Sequence, residues 1–68
     1  MNDIYYVLIK YEHSEMLRYE GNQIDMSAMF NDIYNAKTQG KEILLFVFNG
    51  QNMFVSPQKI IHSEFRKK

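Results

Sequence analysis

Two apolar runs flank an Asn-Gly pair in the second half of the chain. They occupy positions 43–48 and 51–55, and Asn49 and Gly50 lie between them. Asn-Gly readily adopts the positive φ angles of a type I′ turn, so the pattern predicts a β-hairpin with a two-residue loop. Such a loop fixes the register of the strands. The predicted cross-strand pairs are Phe48–Gln51, Val47–Asn52, Phe46–Met53, Leu45–Phe54 and Leu44–Val55.

Strand alternation divides the hairpin into two faces, and both are apolar. One face carries Leu44, Phe46, Phe48, Met53 and Val55. The other face carries Ile43, Leu45, Val47 and Phe54. One helix covers only one face of a sheet, so the pattern leaves a second apolar face for another partner. We take the first set as the candidate interface, although hydropathy does not determine which face the helix covers.

The remaining patterns predict three further strands. The run from Ile4 to Glu12 is apolar at both alternating sets of positions, which is typical of an interior strand. From Met16 to Glu20, the charged residues Arg18 and Glu20 alternate with Leu17 and Tyr19. This pattern predicts a short strand, and its exposed charges favour an edge position. The segment Pro57–Lys59 predicts a tight turn, and a last strand is expected over residues 60–65.

One helix is predicted between Met26 and Gln39. Asp25 is a suitable N-cap, and Ile24 and Met29 are spaced for a hydrophobic staple. Gly40 supplies a left-handed residue after the helix, and Lys37 places a cation in the last turn. The predicted buried stripe consists of Met26, Met29, Phe30, Ile33 and Tyr34.

These elements give the order β-β-α-β-β-β in a single α+β domain spanning residues 1–68. We expect one mostly antiparallel, twisted sheet of about five strands with the helix packed on one face. The uncovered face can be buried in three ways. The sheet can curl into a small barrel, or the face can contact a second copy or another protein. A homodimer is the favoured solution, and residues 65–68 are expected to form a frayed basic tail.

Composition narrows the class of protein. Lys and Arg together number 8, as do Asp and Glu, so the formal net charge is 0 and no long-range attraction to a polyanion is expected. The chain has no cysteine, no apolar run long enough to span a membrane and no basic leader, which predicts a cytoplasmic protein. Frequent Asn, Ile, Lys and Tyr are typical of AT-rich bacterial or phage genomes.

The sequence offers little catalytic chemistry. His-Ser-Glu occurs twice, and His13, Glu15, His62 and Glu64 would suit a metal ion only if the two copies came together. Neighbouring residues of a strand point to opposite faces, so His62 cannot activate Ser63. The glycines are single, so no phosphate-binding loop is predicted. We therefore predict no enzyme activity, no catalytic residues, no metal and no cofactor.

Two functions remain. The first is a small protein-interaction or regulatory module that self-associates through an apolar sheet face, with the helix surface around Asn31, Asp32 and Asn35 as another contact. The alternative is a single-stranded nucleic-acid-binding module. Its stacking aromatics would be Tyr5, Tyr11, Tyr19, Phe46 and Phe54, and its cations Arg18, Lys41, Lys59 and Arg66.

Overall fold

The computed structural model describes residues 3–14 and 16–68. Within them the α+β class and the order β-β-α-β-β-β are confirmed. A single 3-10 turn at Pro57–Lys59 precedes the last strand. The elements are β1 (Tyr5–Tyr11), β2 (Met16–Gly21), α1 (Gln23–Thr38), β3 (Leu44–Phe48), β4 (Gln51–Val55) and β5 (Ile60–Lys67).

The strands form two antiparallel sheets. One has the order β2-β1-β5 and the other contains β3 and β4. β1 is central and β2 lies at an edge, as the apolar and charged patterns predicted. The expectation of one continuous sheet is corrected, because the β3–β4 hairpin meets β2 through side chains. The Tyr19 ring packs edge-on against Phe46 at 6.2 Å and against Phe48 at 5.4 Å between ring centroids.

The register of the β3–β4 hairpin is confirmed at every predicted pair. Asn49 has φ 52° and Gly50 has φ 76°, so both turn residues are left-handed. These are the angles that a type I′ turn requires, and its twist matches that of the strands. A local sequence signal is therefore sufficient to set the alignment of both strands.

The helix begins three residues earlier than predicted, and its N-cap is Asn22 rather than Asp25. The Asn22 Oδ1 accepts a hydrogen bond from the Asp25 backbone N–H at 2.7 Å, and its Nδ2 donates to Asp25 Oδ2 at 3.1 Å. Asn caps as well as Asp, and this cap leaves Asp25 at the third helical position. Ile24 consequently lies within the first turn, 81% exposed, and forms no staple.

The end of the helix agrees with the sequence. Gly40 has φ 75°, and its N–H donates to Lys37 O at 3.2 Å. The Lys41 N–H donates to Ala36 O at 3.0 Å, which completes a Schellman motif. The Gln58 side chain also donates to the carbonyls of Lys37 and Lys41, at 3.0 and 3.2 Å. The turn before β5 is thereby attached to the end of the helix.

The core lies between α1 and the inner faces of both sheets. Phe30 is half-buried beside the core, while Tyr34, predicted in the buried stripe, is exposed. Ala36 takes its place on the buried side because it continues the spacing of Met29 and Ile33. The buried cluster consists of Val7, Ile9, Met26, Met29, Ile33, Val55 and Ile60.

The C-terminal residues belong to the sheet. Phe65 pairs with Val7 and Lys67 pairs with Tyr5, and the Lys68 N–H donates to Ile4 O at 2.8 Å. The Phe65 ring stacks on Tyr5 at 5.6 Å between ring centroids. Of the residues 65–68 that were expected to form a basic tail, 65–67 belong to β5 and Lys68 follows the strand.

Candidate interaction surface

One face of the β3–β4 hairpin is open and apolar. We call it the outer face and define it by Ile43, Leu45, Val47 and Phe54, whose exposed fractions are 64%, 53%, 68% and 71%. Leu45 and Phe54 are directly paired across the strands, and Val47 is paired with Asn52. Leu45, Val47 and Phe54 are neighbours on a pleated surface, and Ile43 directly precedes β3.

The outer face lies in an uncharged segment. No Asp, Glu, Lys, Arg or His occurs from Ile43 to Pro57, and the nearest charges in sequence are Glu42 and Lys59. In space the two ends of the face lie near charged residues, because Phe54 borders a cleft with Glu12 and Lys59, and Ile43 borders one with Glu42 and Lys59. Covering Leu45 and Val47 between them removes no charged side chain of the hairpin from water. The same neutrality means that the outer face does not favour a charged partner.

The candidate interface of the sequence analysis forms the inner face of the hairpin. Val55 is buried in the core, and the other members are half-buried. Hydropathy did not separate the faces because each carries one amide side chain, Gln51 on the inner face and Asn52 on the outer face. The packing of Tyr19 against Phe46 and Phe48 turns this set inwards. The set comprises Leu44, Phe46, Phe48, Met53 and Val55.

The other proposed contact is the polar surface of the helix. Asn31, Asp32 and Asn35 are exposed, as the helical periodicity predicted. Tyr34 lies beside them and is also exposed. This surface is more polar than the outer face, so burying it offers less apolar free energy to a complex.

The two histidines contact separate glutamates. His13 Nε2 lies 3.3 Å from Glu12 Oε1, and His62 Nε2 lies 2.9 Å from Glu64 Oε1. Glu15, part of the proposed metal set, lies outside the described residues. Within residues 3–14 and 16–68, no group of three or more His, Cys, Asp or Glu side chains could hold a metal ion.

The outer surface of the β2-β1-β5 sheet carries paired charges. The Arg18 guanidinium lies 4.2 Å above the Tyr6 ring centroid, and its Nε donates to Glu20 at 2.8 Å. Hydrogen bonding from Lys68, with the charges of Lys68 and Arg18, lowers the pKa of Glu20. These groups satisfy one another across the sheet, so this surface differs sharply from the uncharged outer face.

A second glutamate with polar partners, Glu64, lies on β5. The His62 hydrogen bond is the main cause of a lowered pKa at Glu64, and the Arg66 guanidinium, 3.1 Å away, lowers it further. Ser63 lies on the opposite side of this strand, paired with the buried Ile9. His62 and Ser63 are therefore not brought together as base and nucleophile.

The predicted nucleic-acid platform is divided between surfaces. Tyr5, Tyr11, Tyr19 and Phe46 are half-buried against the core. Phe54 points away from them on the outer face. Base stacking needs exposed ring faces on one surface, so these five aromatics supply no common platform.

A cleft of about 380 Å³ separates β3 from β2 and the beginning of α1. Its acidic lining consists of Glu20, Asp25 and Asp32, and its other wall includes the consecutive residues Phe46–Asn49. The free edge of β3 therefore borders the chain's own helix. Among the described residues that line this cleft, none forms a nucleophile and base pair.

Comparison of the chain with known protein families, curated proteins and solved structures finds no match. Within the described residues, no helix has the length and apolar character needed to cross a membrane.

Proposed function

We propose that this chain is a non-catalytic protein-interaction module that binds its partner with the outer face of the β3–β4 hairpin. The observation that carries the proposal is a set of four apolar side chains on one side of the hairpin, each more than half exposed, in a segment of the sequence without charge. Apolar patches on soluble proteins commonly mark binding surfaces. The larger sheet, by contrast, carries the charged contacts around Glu20 and Glu64 on its outer surface.

Burial of this face provides a substantial driving force. Complete burial of an apolar side chain stabilises a complex by roughly 1.5–3 kcal/mol, and Phe54 is the largest member of the outer face. The patch is also preorganised, because the type I′ turn and the Tyr19 contacts hold the strands before a partner arrives. Little ordering entropy is then lost on binding.

The proposal is tested by affinity capture from a cell extract with matched baits. Phe54→Lys and Val47→Lys add a charge to the outer face, while Ile24→Lys adds one on the helix at a side chain that is even more exposed. We expect at least one protein to be captured equally by wild type and Ile24→Lys. The outer-face variants should capture at least tenfold less of that protein. Circular dichroism and urea unfolding identify folded baits.

Equal capture by all four baits would contradict the use of the outer face. A protein lost only with Ile24→Lys would move the site to the helix. The nucleic-acid alternative is tested on the same proteins by a mobility shift with single-stranded oligonucleotides, and we expect no salt-sensitive shift because the net charge is 0. The cytoplasmic location stays a prediction.

A further inference from the structure

β4 has an open strand edge. In the described part of the chain it pairs only with β3. The two-residue turn makes Phe48 and Gln51 a hydrogen-bonded pair, and such pairs alternate along an antiparallel ladder. Gln51, Met53 and Val55 therefore direct their backbone groups to β3. Asn52 and Phe54 direct their N–H and C=O groups to the free edge.

The β4 edge lacks the charged side chains that discourage the edges of the larger sheet from pairing with another molecule. β2 carries Arg18 and Glu20, and β5 carries Glu64, Arg66 and Lys67, so both edges of the larger sheet are charged. The edge of β3 borders the cleft beside α1. β4 itself has no charge, proline or glycine, and of its residues Phe54 borders a cleft beside Tyr11–Ser14. A strand whose edge-facing backbone groups are unpaired and whose own side chains are uncharged is a template for another strand.

We propose that two copies of this chain join through antiparallel pairing of their β4 strands across a twofold axis. A twofold axis perpendicular to the sheet keeps the outer faces of both copies on the same side. Residues directly opposite each other share a face, so one residue of β4 lies on the axis and faces its own copy. The formal net charge of 0 gives no overall repulsion between the copies.

Met53 is the residue on the axis. With Met53 opposite itself, Asn52 of each copy forms a hydrogen-bonded pair with Phe54 of the other. This register uses the open N–H and C=O groups of both residues in both copies. An axis at Asn52 would place Asn52 opposite itself, and an axis at Phe54 would place Phe54 opposite itself. Either register is off the centre of the five-residue strand, so fewer residues of the two strands would be paired.

The pairing deepens the proposed function and rests on it, because it enlarges the same outer face. A standard interface uses roughly 20–30 residues on each side, far more than one hairpin offers. The joined strands, in the order β3-β4-β4-β3, would form one four-stranded sheet whose outer side carries the patches of both copies. The second copy therefore occupies the β4 edge. The combined outer face of the two copies stays open for the binding partner of the proposed function.

Single cysteines test this geometry, because the chain contains no native cysteine. The test variants are Met53→Cys, Asn52→Cys and Phe54→Cys, and the controls are Val47→Cys and Ile24→Cys. Residues opposite each other in a non-hydrogen-bonded pair have Cα atoms about 4.5 Å apart, within disulfide range. Asn52 and its copy would be offset by two residues, about 8 Å apart, which is too far.

We expect oxidation to cross-link Met53→Cys at least tenfold faster than the other variants. The difference should disappear in urea, where the rates report only intrinsic thiol reactivity. A maximum at Val47→Cys would show face-to-face packing and overturn the proposal. Rates equal to that of Ile24→Cys at every position would overturn it as well.

A substitution of the edge gives an independent readout. Asn52 is exposed, so Asn52→Lys places a charge beside the axis without disturbing the core, and Asn52→Ser is its neutral control. We expect Asn52→Lys to sediment as a monomer and Asn52→Ser to remain a dimer, and a dimer of Asn52→Lys would contradict edge pairing. If cross-linking fails but capture still depends on Phe54, the edge proposal is wrong and the proposed function stands. If Met53→Cys cross-links but capture ignores Phe54, the proposed function fails alone.

Discussion

At the N-terminus of the helix, two residues compete for one capping role. Asn22 and Asp25 both have side chains that accept hydrogen bonds from helix N–H groups. The structure assigns the cap to Asn22, and Asp25 receives a hydrogen bond from the Asn22 side chain. The sequence identified a capping region correctly but shifted the cap by three residues, because both residue types suit the position equally.

We expect Asn22→Ala to lower the free energy of unfolding by about 1 kcal/mol, because it leaves the Asp25 N–H without its partner. Asp25→Ala should cost less, since it removes only a favourable charge near the helix N-terminus. Urea unfolding measures both, with Gln23→Ala as an exposed control. A larger loss for Asp25→Ala would contradict the assignment of the cap.

At the scale of the elements, turn chemistry and periodicity predicted the hairpin, the helix end and the order of elements along the chain. Asn49 and Gly50 set the register without outside help. The two sheets were not predictable in this way, because an isolated strand does not specify which strand lies beside it. The orientation of the hairpin depends on Tyr19, which lies far from it in sequence.

Tyr19→Ala should therefore loosen the hairpin more than the larger sheet. It removes two edge-on ring contacts, worth roughly 0.5–1.5 kcal/mol each beyond their buried area. Hydrogen exchange should accelerate across residues 44–55 and change little at Val7 and Ile9. Tyr34→Ala is the matched control because Tyr34 is exposed. Uniform acceleration in both sheets would contradict a specific role for Tyr19.

Across the whole molecule, charge is divided between the sheets. The outer surface of the larger sheet carries ion pairs around Glu20 and Glu64, while the hairpin is uncharged from Ile43 onwards to Pro57. This division is consistent with the proposal that a partner covers the hairpin, while the charged surface of the larger sheet stays in water. The molecule is elongated, with extents of 38 × 21 × 20 Å.

The ion pairs predict a loss of stability in acid. The pKa values of Glu20 and Glu64 are lowered below their ordinary value of 4.5, so near that pH the folded state binds fewer protons than the unfolded state. Their stabilisation is present above pH 4.5 and is lost as the pH falls through the folded pKa values. Urea unfolding between pH 6 and pH 3 should show a smaller decrease for Glu64→Gln than for wild type.

Glu42→Gln is the control for this titration, because Glu42 is exposed at the beginning of the hairpin. Its acid profile should follow wild type. If Glu64→Gln also follows wild type, the His62 and Arg66 contacts contribute nothing to folding stability.

The sequence by itself determined the features that depend on residues a few positions apart. These are the Asn-Gly turn, the two alternating faces of the hairpin and the end of the helix at Gly40. Only the tertiary structure decided which hairpin face is open, because both faces are equally apolar. Long-range contacts of Tyr19 and the core buried one face, and the same contacts left the other face and the β4 edge available.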